Sequence, residues 1–344
     1  MNEHDYTNVY PKIIINEHDY TQTSIQKLLS TNMTTQTSIK KLKSEIVHNI
    51  ILPIIMDVSA CYSDDSASLH LWYLFNEPID NIQFRNALRH IHFGCYFDKP
   101  IKPSTLPSKL LTLTFSENFN QTLEFIESLH SLTSITLGHH FNQNIQSIKF
   151  PSSLQNIIFD KNSKFNQPIE NIMLPINLKM LSFGKYFNQP INKIIIPNNV
   201  TSITFGTYFN QEIHDTTFPA TLTDITFGYF FDKSFSTIPD SIKTLHVRNM
   251  NNINTIPDSI NNICYIYTET QQYSSMTIIN NLSNKITEIK IDHLLIGKTD
   301  SISNLPTSVK KIIFYYYDQR TFDRFKKVPY NCIFFDRYNY QIHI

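Results

Sequence analysis

Phe165-Asn166-Gln167-Pro168-Ile169 and Phe187-Asn188-Gln189-Pro190-Ile191 are the same five residues, set 22 apart. Working outward, Phe209-Asn210-Gln211-Glu212-Ile213 and Phe75-Asn76-Glu77-Pro78-Ile79 repeat the block with one change each. A Phe-Asn or Phe-Asp pair stands at Phe75, Phe97, Phe119, Phe141, Phe165, Phe187, Phe209 and Phe231, at intervals of 22, 22, 22, 24, 22, 22 and 22. Spacing that regular over eight copies marks a tandem array of one structural unit.

A second motif runs in step with the first: Leu178-Lys179-Met180-Leu181-Ser182-Phe183-Gly184, then Val200-Thr201-Ser202-Ile203-Thr204-Phe205-Gly206, then Leu222-Thr223-Asp224-Ile225-Thr226-Phe227-Gly228. The frame extends back over 88–94, 110–116, 132–138 and 154–160. The two extra residues of the long interval therefore fall in the loop between Asp160 and Phe165. An apolar residue and a proline lead into the strand at Leu106-Pro107, Phe150-Pro151, Leu174-Pro175, Ile196-Pro197 and Phe218-Pro219, which reads as a fixed turn. Beyond Phe231 the first motif stops, while the second continues at looser spacing over 242–247, 260–265, 286–291 and 309–314.

In Leu-x-x-Leu-x-Phe the last three positions alternate apolar, polar, apolar. A strand of that pattern sends its fourth and sixth side chains inward and its third and fifth outward. About six inward side chains per coil, at roughly 1.5–3 kcal/mol each, do not offset the ordering of about 22 backbones at roughly 1–2 kcal/mol each. One coil alone is unfolded, and the stack holds it. The Asn or Asp after each phenylalanine (Asn76, Asp98, Asn120, Asn142, Asn166, Asn188, Asn210, Asp232) suits a turn in which a short polar side chain bonds backbone groups.

Through these Phe-Asn-Gln-Pro-Ile blocks the sequence resembles the FNIP-repeat proteins, leucine-rich-repeat relatives found in social amoebae and in giant viruses of amoebae. The resemblance is strong over 74–235 and weaker to 314. It implies a binding repeat without chemistry of its own. The expected fold is a leucine-rich-repeat-like solenoid: a parallel β-sheet of about eleven short strands, a mostly non-helical convex side and a small helical N-terminal region.

Residues 1–42, where 2–7 recur verbatim as 16–21, are expected to be a weakly ordered leader. Residues 43–74 are read as a helical cap, 75–235 as regular repeats, 236–314 as degenerate repeats and 315–344 as a C-terminal cap. In that last cap the aromatics from Phe314 through Tyr338 and Tyr340 are expected to cover the last coil's edge. The 43–74 segment has a second reading. Ile46-Val47-x-x-Ile50-Ile51 with Leu69-His70-Leu71-Trp72 loosely resembles an F-box, which implies a Skp1-type adaptor as partner and a substrate-recognition role in a cullin-type ubiquitin ligase.

The chain has 344 residues, 41% of them hydrophobic and 17% charged, a composition that folds. Twenty-nine basic residues balance 29 acidic ones, leaving no bulk field for a polyanion. Cys61, Cys95, Cys264 and Cys332 have neither zinc-site nor disulfide-scaffold spacing, pointing to a reducing, intracellular and cytoplasmic setting (the host cytoplasm for a viral protein). The N-terminus has no signal-peptide pattern. The longest apolar stretch, 46–58, is broken by His48, Asn49, Pro53 and Asp57, so no membrane span is expected.

No phosphate loop, Gly-x-Ser-x-Gly elbow or His-Glu-x-x-His motif occurs. His139-His140 and the His90/His92 pair have no Cys, Asp or Glu partner recurring at ligand spacing. The expectation is a non-enzymatic protein without catalytic residues, cofactor or metal.

The candidate protein-binding residues are the outward third and fifth positions of a concave face: His90, His92, Thr112, Thr114, Ser134, Thr136, Asn156, Met180, Ser182, Ser202, Thr204, Asp224, Thr226, Thr244 and His246. That face is neutral and rich in hydroxyls. Across its first nine strands it lacks the Lys and Arg interleaved with aromatics that a nucleic acid requires, so an unidentified protein is the expected partner. The rival surface is the convex side with Tyr96, Tyr186, Tyr208 and Phe230.

Overall fold

The computed structural model describes residues 58–247, 252–265, 282, 284–291, 301–317 and 319–343. The leader and residues 43–57, with the first half of the F-box-like pattern, lie outside the described residues.

Fourteen strands form a single sheet in chain order: β1 Ser68–His70, β2 His90–His92, β3 Thr112–Thr114, β4 Ser134–Leu137, β5 Asn156–Phe159, β6 Met180–Ser182, β7 Ser202–Thr204, β8 Asp224–Phe227, β9 Thr244–Val247, β10 Asn262–Tyr265, β11 Glu288–Ile291, β12 Lys311–Phe314, β13 Ile333–Asp336 and β14 Gln341–Ile342. β1 to β13 pair in parallel, and β14 turns back antiparallel on β13. Among the described residues, helix is confined to the single turn Gln319–Phe322 and to 3-10 turns at Val58–Cys61, Glu124–Ser128 and Ile253–Thr255.

The eleven strands expected from the second motif are β2 to β12. Two parallel rungs were not anticipated, and they correct the boundaries at both ends. Ser68–His70, read as part of a helical cap, is a strand with Leu69 fully buried and paired with Ile91. Ile333–Asp336, read as cap, is a thirteenth parallel rung. The aromatics that cover the last coil's apolar end are Phe322, Phe325 and Phe334, whose rings lie 5.6, 5.7 and 5.8 Å from that of Phe314. Tyr338 and Tyr340 instead face solvent, at 66% and 72% exposure. Among the described residues, Tyr62 makes one antiparallel bridge to Leu69 on β1, and β14 turns back antiparallel at the other end.

Inside, the phenylalanines of the first motif stack in one file from Phe75 to Phe231, with neighbouring ring centroids 5.9–6.3 Å apart. Phe187 and Phe209 are both fully buried and lie 6.1 Å apart with planes within 1°. A second file comes from the strand ends, and each of its rings packs on the first file's ring in the same coil, as Phe183 does on Phe187 at 3.8 Å and Phe205 on Phe209 at 4.0 Å.

The Asn/Asp file is a backbone ladder. Each side chain accepts the backbone N–H of its counterpart in the next coil, as Asn166 Oδ1 does from Asn188 and Asn188 Oδ1 from Asn210, both at 2.9 Å. The series runs without a break from Asn76 to Asp232. The proline turn is equally regular: its carbonyl accepts the N–H three residues on, at Pro175 to Leu178, Pro197 to Val200 and Pro219 to Leu222. The glycine ending the strand motif is required by close approach. A Cβ on Gly206 would stand 1.8 Å from the Gly184 carbonyl oxygen. The extra residues of the long coil form a local turn, with Asp160 Oδ1 accepting from Asn162 N–H at 2.8 Å and Ser163 fully buried.

Candidate functional site

Strand alternation and parallel register carry the fifteen candidate residues to one face. The third-position column runs His90, Thr112, Ser134, Asn156, Met180, Ser202, Asp224, Thr244. The fifth-position column beside it runs His92, Thr114, Thr136, Ile158, Ser182, Thr204, Thr226, His246. Each is half-buried or exposed, while the fourth-position residues between them, from Ile91 to Leu245, are buried.

What distinguishes these hydroxyls is that the fold leaves most of them unused. Threonines one position earlier donate to the preceding coil: Thr133 Oγ1 to the Leu111 carbonyl at 3.0 Å, Thr201 to Lys179 at 3.3 Å and Thr223 to Thr201 at 3.3 Å. The hydroxyls of Thr114, Thr136, Ser182, Thr204 and Thr226 have no hydrogen-bond partner among the described residues. The two ends of the face are more tied up. His90 Nδ1 meets Thr112 Oγ1 at 2.8 Å, Ser116 Oγ meets His92 Nε2 at 3.3 Å, and His246 Nε2 lies 3.2 Å from Asp224 Oδ1.

Both of those end histidines are held below the ordinary imidazole range. For His92 the cause is burial, with His70 adding repulsion. For His246 burial is again the largest cause; Lys290 adds to it, and the two outweigh the attraction of Asp224. His70 and Ser116 are the parts of this face that the sequence reading missed. The signal for His70 was present, since Leu69 and Leu71 fall 22 residues before Ile91 and Phe93. Its ring stacks on His92 at 5.8 Å.

On the opposite surface, Tyr186, Tyr208 and Phe230 stack face to face at 5.3 and 5.0 Å, and Lys185 lies over Tyr186. Rings stacked in this way present edges, so they form a weak platform for a flat ligand. The His139 and His140 rings lie 4.7 Å apart, and among the described residues no group of three His, Cys, Asp or Glu side chains could hold a metal. A narrow gap beneath the middle coils, with room for no more than about one water, is lined by Phe150, Ile172, Leu174, Ile194 and similar side chains, with no polar lining atom. It lacks the convergent polar groups that a catalytic pocket uses.

The ladder of Phe and Asn blocks coincides with a known repeat. A family model described as FNIP Repeat matches residues 75–118, 165–208 and 209–247. The chain carries FNIP repeats. This FNIP-repeat solenoid is similar to the solved structure of CroV588, a circular leucine-rich-repeat protein, at 25% identity and TM-score 0.48, over 77% of this chain and 45% of that one. It thus spans less than half the length of that relative. YopM from Yersinia enterocolitica is similar at 12% identity and TM-score 0.40, over 92% of this chain and 71% of that one. An internalin from Listeria monocytogenes is similar at 13% identity and TM-score 0.35, over 79% and 86% respectively. No curated protein matches the chain. FNIP and leucine-rich repeats are commonly protein-interaction scaffolds. No helix among the described residues is long and apolar enough to cross a membrane.

Proposed function

We propose that this FNIP-repeat protein is a non-enzymatic scaffold that binds another protein along its strand face. The observation that carries the reading is the file of unspent hydroxyls from Thr114 to Thr226, presented at a fixed rung spacing by a backbone ladder that the sheet holds rigid. Thirteen parallel rungs at about 4.8 Å give a face roughly 58 Å long. That is the scale of a protein contact rather than of a small-molecule pocket. Short hydroxyl side chains lose little rotamer freedom on binding, so such a surface can accept hydrogen bonds from an extended partner at small entropic cost. A reducing, intracellular setting fits the four cysteines, which form no disulfide.

The test is a comparative capture. Tagged wild-type chain and a Ser202→Lys, Thr204→Lys, Thr226→Lys triple variant are used as baits in the same cell extract, with circular dichroism confirming equal folding. A partner retained by the first and lost by the second supports the strand face. Equal recovery from both baits moves the contact elsewhere.

A further inference from the structure

The zero net charge of the chain hides a segregation. Residues 310–344 carry seven lysines and arginines against three acidic residues, together with six tyrosines and five phenylalanines. The remaining 309 residues are correspondingly acidic. The interleaved basic and aromatic residues that the first nine strands lack are concentrated at this one end.

The structure gives this composition a shape. The turn between β13 and β14 is held by Asp336, whose Oδ1 accepts the backbone N–H groups of Tyr338 at 2.9 Å and Tyr340 at 2.8 Å, and Asn339 takes a left-handed conformation at φ 66°. The carboxylate is thereby committed to the backbone and makes no salt bridge with its neighbour Arg337. The Arg337 guanidinium lies 4.8 Å from the Tyr338 ring and 5.6 Å from the Tyr316 ring, and its Nη2 donates to the Tyr338 hydroxyl at 2.7 Å. On β12 the Lys311 ammonium sits 4.8 Å from the Phe335 ring of β13 and 3.8 Å from the Glu288 carboxylate. Tyr316, Tyr338 and Tyr340 are 54%, 66% and 72% exposed. Lys310, Lys326, Lys327 and Arg337 enter no salt bridge among the described residues.

We infer that the β13–β14 turn and the adjoining face of β12 bind single-stranded nucleic acid, with Tyr316, Tyr338 and Tyr340 stacking on bases and Arg337 meeting a phosphate. Exposed rings beside unneutralised cations are the combination that sequence-tolerant single-strand binding uses. An acidic protein is the competing occupant. The seven basic against three acidic residues of this segment, interleaved with eleven tyrosines and phenylalanines, are the composition of a single-strand site, which favours phosphate. A duplex keeps its base faces stacked away and offers these rings nothing.

The test is fluorescence anisotropy of a labelled oligodeoxythymidine and an oligouridine of about 15 nucleotides, titrated with the full chain at about 50 and about 200 mM salt. The expected result is binding at low salt that weakens roughly tenfold to a hundredfold at the higher salt. Tyr338→Ala with Tyr340→Ala should weaken it by roughly tenfold or more, and Tyr338→Phe with Tyr340→Phe should restore it, because the phenyl face still stacks. Arg337→Gln should lower the slope of log affinity against log salt by about 0.7, the loss of one phosphate contact. Both tyrosines face solvent, so melting curves of the alanine variant should match wild type.

The inference is overturned by any of four results: no binding at low salt, binding indifferent to the alanine pair, a duplex of the same length bound as tightly, or polyglutamate bound through these tyrosines while the oligonucleotides are not.

Discussion

The middle coils, from β5 to β8, and the later coils, from β9 to β12, build the same sheet with different means. In the middle, every coil contributes a buried phenylalanine to the stacked file and an Asn or Asp to the backbone ladder. In the later coils neither file continues, and the rung intervals spread to 18, 26 and 23 residues between Thr244, Asn262, Glu288 and Lys311. Two features persist. Inward aliphatics such as Ile263, Ile289 and Ile312 remain fully buried, and the proline carbonyl still accepts the N–H three residues on, at Pro257 to Ile260 and Pro306 to Val309. The strand and its lead-in turn are therefore enough to extend the sheet. The Phe-Asn block has a separate role: it fixes the spacing of the coils on the side away from the strands.

The largest break in that contrast should come from Phe187→Ala, which removes a ring packed on Phe165, Phe183 and Phe209. A cost of about 3–5 kcal/mol is expected, measured by urea unfolding. The comparable truncation in a later coil, Ile289→Ala, should cost about 2–5 kcal/mol. A larger loss there than at Phe187 would show that the phenylalanine file has no special share in stability. Next in size is Asn188→Ala. It deprives the Asn210 N–H of its acceptor and the Gln211 side chain of one of two, the Asn188 backbone carbonyl remaining, for about 1–3 kcal/mol. Asn188→Asp should restore most of this, since Asp98 already serves as a rung by accepting from Asn120. Faster amide exchange at Asn210 in the alanine variant alone would locate the damage at the ladder.

Much of this was legible in the sequence because the period is strict where the fold is strict. The 22-residue register gave the rungs from β2 to β8, the looser second motif those from β9 to β12, and apolar alternation the outward sense of Thr114, Thr204 and Thr226. The ends were harder to read. Ser68-Leu69-His70 has no preceding Phe-Asn block, and Ile333-Phe334-Phe335 lies in so aromatic a setting that its rung character is masked, although Val328-Pro329 precedes it. The purpose of the Asn file was only half visible. A turn residue can bond any nearby backbone, and only stacking shows that its acceptor is aimed at the next coil's N–H. Likewise, alternation places His90 and His246 outward but says nothing of their bonds to Thr112 and Asp224.

A further effect, of opposite sign, tests the inner side of the return segment that runs from each Phe-Asn block to the next strand. Ile148, Ile172 and Ile194 are buried at one slot in successive coils, and Thr216 occupies the same slot in the next. Its hydroxyl is buried without a hydrogen-bond partner. Thr216→Val removes an unsatisfied polar atom at almost unchanged volume, so the variant should be more stable by about 1–3 kcal/mol. A loss of stability would mean that the hydroxyl is satisfied and that this coil departs from the pattern of its neighbours.

The smallest effect concerns pH and compares the two ends of the strand face. His92 on β2 and His246 on β9 both titrate below the free imidazole value of 6.5 in the folded chain, chiefly because burial disfavours the charged ring. As pH falls, the unfolded chain takes up these protons first. Stability is therefore intact above about pH 6.5 and declines as pH drops through the folded values. Asp65, Asp80 and Asp232 do not obscure the decline, because their carboxyls are held below 3.8 and stay ionised throughout it. Thermal melts taken above and below that pH should show a modest loss, reduced by His92→Gln and again by His246→Gln. His246 has Asp224 at 3.2 Å to accept its charge, and His92 has only hydroxyl and imidazole neighbours. Asp224→Asn should therefore steepen the acid loss through His246 and leave the contribution of His92 as it was.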